Sequence, residues 1–103
     1  MPRRKVRFGV AARADLKRLF EYIIEASGMP KTALAYVDRI EHKCDELADF
    51  PIVGRVLGHI RPGLRSIPFE GVIIAFPVSE AEVRVRRVFG AAQDYERRLR
   101  PRQ

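Results

Sequence analysis

The chain has 103 residues, 47% of them hydrophobic and 32% charged, with a formal net charge of +7. One domain with one core is what this length supports, and the balance of apolar and charged residues excludes a disordered or fibrous polypeptide. The longest apolar stretch, VIIAFPV at 72–78, is far too short to cross a bilayer, and a single cysteine, Cys44, excludes an intrachain disulfide.

The opening segment, MPRRKVRFGVAARADL, interrupts every apolar pair with a basic or small residue, so no secretory leader is expected and a reducing cytoplasm is the expected location. Within it KVRFGV (5–10) sets Val6, Phe8 and Val10 against Lys5, Arg7 and Gly9. That period of two predicts a half-buried strand. In AARADLKRLFEYIIEASG the residues Ala12, Leu16, Leu19, Phe20 and Ile23 recur at helical spacing, with Asp15 near the positive end of the helix and Gly28 as its stop.

Pro30 suits the first turn of a second helix, where its missing N–H costs nothing. From there to Pro51, Ala33, Tyr36, Val37, Ile40, Cys44 and Leu47 form an apolar stripe, and Lys31, Asp38, Arg39, Glu41, His42, Asp45 and Glu46 take the other side. Two amphipathic helices joined by a few residues make an antiparallel hairpin that needs an apolar surface to cover.

IVGRVLGHIRPG is a loop by its glycine and proline content, and Ile52, Val53, Val56 and Leu57 suggest that it is pinned to the core. LRSIPFEG, VIIAFPV and EVRVRRVFG then read as three strands with tight turns at Glu70-Gly71 and at 79–82. Pro68 and Pro77 remove ladder donors, so pairing on one side only is expected there. The predicted fold is α+β, in the order β-α-α-β-β-β, with the hairpin on one face of a small, mainly antiparallel sheet. A single domain over 1–103 is expected, with an ordered core at about 5–95 and a basic tail at 96–103.

The last strand contains a conflict. Strict alternation puts Arg87 on the face of Val83 and Val85 and sends Val88 across to the face of Arg84 and Arg86. A β-bulge near Arg86 and Arg87 returns Val88 to the core; burial of both faces is the alternative.

Charge is unevenly distributed: +4 over residues 1–10, −2 over 11–50 and +5 over 51–103. The excess on the strands raises the encounter rate with anions of any kind, acidic protein or nucleic acid. His42 and His59 have no cysteine or carboxylate array at ligand spacing, and Gly54, Gly58 and Gly63 form no phosphate-cradling motif, so neither metal nor nucleotide cofactor is expected. Cys44 lies on the core stripe, where burial raises a thiol pKa and leaves it inert. RNA cleavage requires a base and an acid, and arginine is a poor proton shuttle, so Glu46, Glu70 or Tyr95 would have to serve. Phe69, Phe76 and Phe89 fall among apolar neighbours and read as core rather than as base-stacking platforms. Arg84 and Arg86, with Arg61 and Arg65 on the adjoining loop and strand, offer forked donors suited to carboxylates of a docked segment. Arg87 joins them as a docking candidate.

Three stretches in this order, AARADLKRLFEYI, LADFPIVGR and RPGLRSIPFEGVIIAFPVSEAEVRVRRVFGAAQD, resemble the ParE branch of the RelE/ParE superfamily over roughly residues 5–95. The resemblance implies a bacterial type II toxin that inhibits DNA gyrase by binding. It also implies neutralisation by a small antitoxin whose C-terminal part wraps it, and operator contact only through that antitoxin, as a heterotetramer or a homodimer. RNA-cleaving relatives carry an arginine within the third strand, where this chain has Ile73. Family members usually read RVLHGARD where this chain reads RVFGAAQD: Arg87, Val88, Ala92 and Asp94 agree, and Gly90, Ala91 and Gln93 replace His, Gly and Arg. The alternatives are a RelE-like, ribosome-dependent mRNA endoribonuclease and a degenerate, non-toxic member.

Overall fold

In the computed structural model, which describes residues 3–90, the alternating N-terminal segment forms strand β1 over Lys5–Phe8. The strand is shorter than its pattern. Its last partner is Val85, whose carbonyl accepts the Gly9 N–H at 2.9 Å, and helix α1 (Val10–Ser27) starts where that ladder ends. Val10, expected to point inward, is therefore the exposed first residue of a helix. Gly28 closes α1 in the left-handed conformation and donates to the Ile24 carbonyl at 2.7 Å. Helix α2 (Pro30–Glu46) begins with its proline in the first turn. It stops short of Pro51 because Leu47, Ala48 and Asp49 bond back to carbonyls three residues earlier, tightening the last turn.

Five further strands follow: β2 (Arg55–Val56), β3 (Leu64–Phe69), β4 (Val72–Pro77), β5 (Glu82–Val85) and β6 (Arg87–Gly90). One antiparallel sheet has the order β2-β3-β4-β6, and β1 pairs in parallel with β5. A bridge between Val78 and Val83 brings β5 beside β4, so the two sheets adjoin. The short strand β2 lies within the segment expected to be loop, because Arg55 and Val56 pair with Ser66 and Arg65. That pairing turns Ile52, Val53 and Val56 to solvent; of the four apolar residues expected to pin the loop, only Leu57 is buried. Pro68 lies beyond the reach of β2 and Pro77 beyond that of β6, so neither missing N–H interrupts a two-sided ladder.

Both faces of the sheet are covered. Ala12, Leu16, Val37, Ile40, Cys44 and Leu47 of the helical side meet Ile67, Ile74, Phe76, Val83, Val85 and Val88. Across the sheet, Leu57, Leu64, Ala75 and Phe89 form a smaller cluster with Ile60. The tight β3–β4 turn places Glu70 at φ 43°. Its carbonyl accepts the Tyr36 hydroxyl, and its two carboxylate oxygens accept Arg39 Nε at 3.1 and 3.0 Å, which ties α2 to the hairpin. Burial of Cys44 pushes its thiol up to about 12, so it packs as a small apolar residue.

The loop before β2 crosses β3 at one point of close approach. Gly54 has φ +78°, and a Cβ there would lie 2.1 Å from the Ser66 carbonyl oxygen. Gly54→Ala is expected to destabilise the fold by on the order of 2–4 kcal/mol, from backbone strain plus displacement of β3. Urea unfolding followed by far-UV circular dichroism measures it; a loss under about 0.5 kcal/mol would mean that the loop moves away at no cost.

Candidate docking surface

The conflict in the last strand is resolved by a bulge. Arg87 is the register partner of Ala75, and the Arg86 N–H also reaches the Ala75 carbonyl, at 2.8 Å. Two residues thus face one, the count that defines a bulge. Val83 and Val85 before it, and Val88 after it, all reach the helix-side core, and Phe89 turns to the other face.

The five arginines singled out from the sequence do not form one group. Arg87 is bound internally: its Nε and Nη2 donate to the two carboxylate oxygens of Asp15 at 2.8 and 3.0 Å, and its guanidinium lies 4.6 Å from the Phe89 ring centroid. Asp15 also accepts the Val88 N–H at 2.8 Å and Arg18 Nη2 at 3.1 Å. Burial pushes the Asp15 carboxyl up, but the Arg87, Val88 and Arg18 hydrogen bonds and the Arg87 charge outweigh it and hold it below the usual carboxylate value. Asp15, which lies near the positive end of α1 as the sequence suggested, is buried.

Arg65 stands apart in another way. Its strand places it on the face of Ile67, and its Nη1 donates to the Val53 carbonyl at 3.4 Å, bracing the loop before β2. Arg61, Arg84 and Arg86 come together. Arg61 and Arg84 are exposed and Arg86 is half-buried. Partial desolvation, then the charges of Arg61, Arg87 and Arg84, push the Arg86 guanidinium pKa down, though arginine stays protonated at physiological pH. Among the described residues no carboxylate forms an ion pair with Arg61 or Arg86. The carboxylate of Glu82 lies 4.0 Å from Arg84 Nε.

Two cations join this surface that the sequence reading did not single out. The parallel register sets Arg7 beside Arg84, and Arg7 shares Glu82 with it at 3.8 Å. Arg13 stacks over Phe8 at 5.7 Å. Alternation in β1 already put Arg7 outside; the missing step was the pairing of β1 with β5, between residues far apart in the chain. By contrast Arg3, which bonds Asp45 and Asp49, and Arg4, which donates to the Ser79 carbonyl at 2.8 Å, brace the fold. Of the altered family motif, Gly90 is exposed at the end of β6, and Ala91 and Gln93 lie outside the described residues, as do Tyr95 and the tail at 96–103. Ile73 sits within β4 opposite Pro68 and Phe89.

A helical hairpin laid on a small, mainly antiparallel sheet is a fold this chain shares with a solved toxin–antitoxin protein. The family model for the ParE toxin of type II toxin–antitoxin systems matches residues 6–95. Toxin ParE3 of Caulobacter vibrioides is 32% identical over 74 residues, covering 72% of this chain and 73% of the relative. A solved chain of a chromosomal ParDE toxin–antitoxin system from P. aeruginosa superposes with a TM-score of 0.74 at 22% identity, over 87% of this chain and 98% of that one. The chain belongs to the ParE toxin family of type II toxin–antitoxin systems.

Because the folded-state pKa of Asp15 is depressed, its contribution to stability is fully present above the unfolded value of about 3.9 and is lost as pH falls through the lower folded value. Acid unfolding below about pH 4 should therefore carry a component that Asp15→Asn abolishes. At neutral pH that substitution is expected to cost about 2–4 kcal/mol, since it strands the half-buried Arg87. Urea midpoints of both proteins across pH 2–7 provide the measurement; parallel pH profiles would contradict it.

Proposed function

We propose that this chain is a non-enzymatic, cytoplasmic toxin that acts by binding DNA gyrase and is held inactive by a cognate antitoxin covering its arginine-bearing face. The observation that carries the reading is Arg86, a partly desolvated guanidinium surrounded by Arg61, Arg84 and Arg87. Arg87 is neutralised by Asp15, whereas Arg61 and Arg86 have no carboxylate partner among the described residues. A partner's carboxylate placed there would relieve the repulsion, and forked guanidinium–carboxylate pairs fix register as well as charge. On this reading Arg61, Arg84 and Arg86 contact the partner, Arg65 contributes at the rim, and Arg87 acts by holding the bulge that presents Arg86. Operator DNA is reached only through the antitoxin, in a toxin–antitoxin heterotetramer.

Binding rather than catalysis is supported by the residue types on this face, since arginine does not exchange protons readily near neutral pH. Ile73 within β4 supports it too, given the arginine that the resemblance implies for RNA-cleaving relatives. Purified protein offered to gyrase and DNA is expected to trap cleavage complexes, and offered to translating ribosomes to leave message intact. Cut message with no trapped complex would replace this reading by the ribonuclease one.

The double variant Arg84→Glu/Arg86→Glu is expected to weaken binding of the antitoxin encoded beside this chain by more than about tenfold, with unchanged unfolding midpoint. Single exposed pairs contribute only about 0–1 kcal/mol, and reversal adds repulsion to their loss. Titration calorimetry measures it, and an unchanged Kd would remove these arginines from the interface.

A further inference from the structure

The arginines displayed by the fold line up across elements that are distant in sequence. Val83 and Val85 of β5 reach the helix-side core, so Arg84 between them points to the opposite face; Val6 and Phe8 pack against the same core, so Arg7 does likewise. The parallel register then sets Arg7 beside Arg84, one strand spacing of about 5 Å away. Arg86 follows two residues after Arg84 and lies close enough to feel its charge and that of Arg61, in the loop before β3. At the other end Arg7 and Arg84 share a hollow of about 600 Å³ with Arg13. Arg61, Arg86, Arg84, Arg7 and Arg13 thus form one row. Among the described residues the one carboxylate paired with any of them is Glu82, 3.8 Å from Arg7 and 4.0 Å from Arg84.

The row offers little to an apolar partner. Val10 adjoins it beside Arg13, but Phe50 and Val53 border a different hollow, against Leu47 and Ile67 of the helix-side core. Val56 shares the face of its register partner Arg65, and the exposed Tyr22, Met29 and Leu34 belong to the helical hairpin. A protein held by this face alone would lack the buried anchors that make binding last. Phe8 is covered by Arg13, and Phe76 and Phe89 are buried, so unpaired bases would find no exposed ring here to stack on. Duplex DNA needs neither anchor nor ring: its phosphates stand outermost, and neutralising them releases condensed counterions, so that cations alone supply the affinity. Guanidinium forks suit phosphate oxygens as well as they suit carboxylates.

We propose that the row of Arg61, Arg86, Arg84, Arg7 and Arg13, when no antitoxin covers it, binds the phosphate backbone of duplex DNA directly. That the duplex is the segment held by gyrase rests on the toxin reading above; the contact itself rests on the row. Antitoxin carboxylates and DNA phosphates then compete for the same guanidinium groups, so neutralisation removes the hold on DNA.

The test is fluorescence anisotropy of a labelled, mixed-sequence DNA duplex titrated with the full chain. With about four phosphates neutralised, affinity is expected to fall by roughly 100-fold between about 50 and 200 mM salt. Arg84→Gln/Arg86→Gln is expected to weaken binding by more than about tenfold, and Lys31→Gln/Lys43→Gln, which removes the same charge from α2, by less than about twofold. Arg7→Gln/Arg84→Gln, at side chains more than half exposed, repeats the loss without touching the bulge. Equal weakening by the arginine and lysine doubles overturns the proposal, as does tighter binding of polyglutamate or of duplex RNA than of DNA. Cleavage complexes are then scored with purified gyrase. A chain that binds the duplex through the row but traps no complex keeps the DNA contact and removes the gyrase reading; one that traps complexes without binding the duplex keeps the gyrase reading and overturns the DNA contact.

Discussion

Asp15 accepts hydrogen bonds from the Arg87 guanidinium and the Val88 main chain at once, so helix α1, the bulge and the start of β6 are held by one carboxylate. The arrangement compensates what burial of that charge costs: four donors from two elements surround a group that is almost inaccessible to water. It also fixes the phase of the last strand. A one-residue slip in a strand exchanges its faces, and the extra residue at Arg86 lets Val83, Val85 and Val88 share one core across an odd spacing. Without a partner for Arg87 and for the outward Val88 N–H, the same bulge would leave a charge and a donor unmet at the edge of the sheet.

That interaction divides the arginines by what they do. Arg3, Arg4, Arg39 and Arg87 are consumed in holding the fold, each bonded to a carboxylate or carbonyl of a distant element. Arg61, Arg84 and Arg86 are displayed by it. The displayed group gains its character from the held one: Arg87 neutralised by Asp15 stands next in sequence to Arg86, whose charge is opposed by partial burial and by its neighbours. A rigid face of under-compensated guanidinium groups makes encounters with acidic surfaces fast and orients them, while apolar contacts set how long they last.

The architecture was legible where periodicity is local. The stripe Ala12, Leu16, Leu19 and the stripe Val37, Ile40, Cys44, Leu47 announced the helical hairpin, and the clash between Arg87 and Val88 in an alternating strand announced the bulge. What failed depended on contacts between residues far apart in the chain. The pairing of β2 with β3, which exposes Ile52, Val53 and Val56, has no signature within two residues. Asp15 sits near the positive end of α1 and also between Ala12 and Leu16 on the apolar side, and an acid in that stripe is the one local hint that a buried cation faces it. Arg87 looked like its neighbours because sequence shows guanidinium groups without showing which carboxylates they have found.

The two ends of the sheet are finished differently, and the difference bears on partners. At one end β2 is short, with Val56 exposed on it and Phe50 and Ile52 exposed in the loop before it; at the other, among the described residues, nothing pairs with the outer side of β1 at Val6 and Phe8, beside Arg7 and Arg13. An unpaired edge is a template for any extended chain, its own copies included, and cations are the usual safeguard. Here the safeguard is selective. Arg7, Arg13 and Arg84 disfavour another basic strand, this chain's own above all, yet lower the cost of approach for an acidic one.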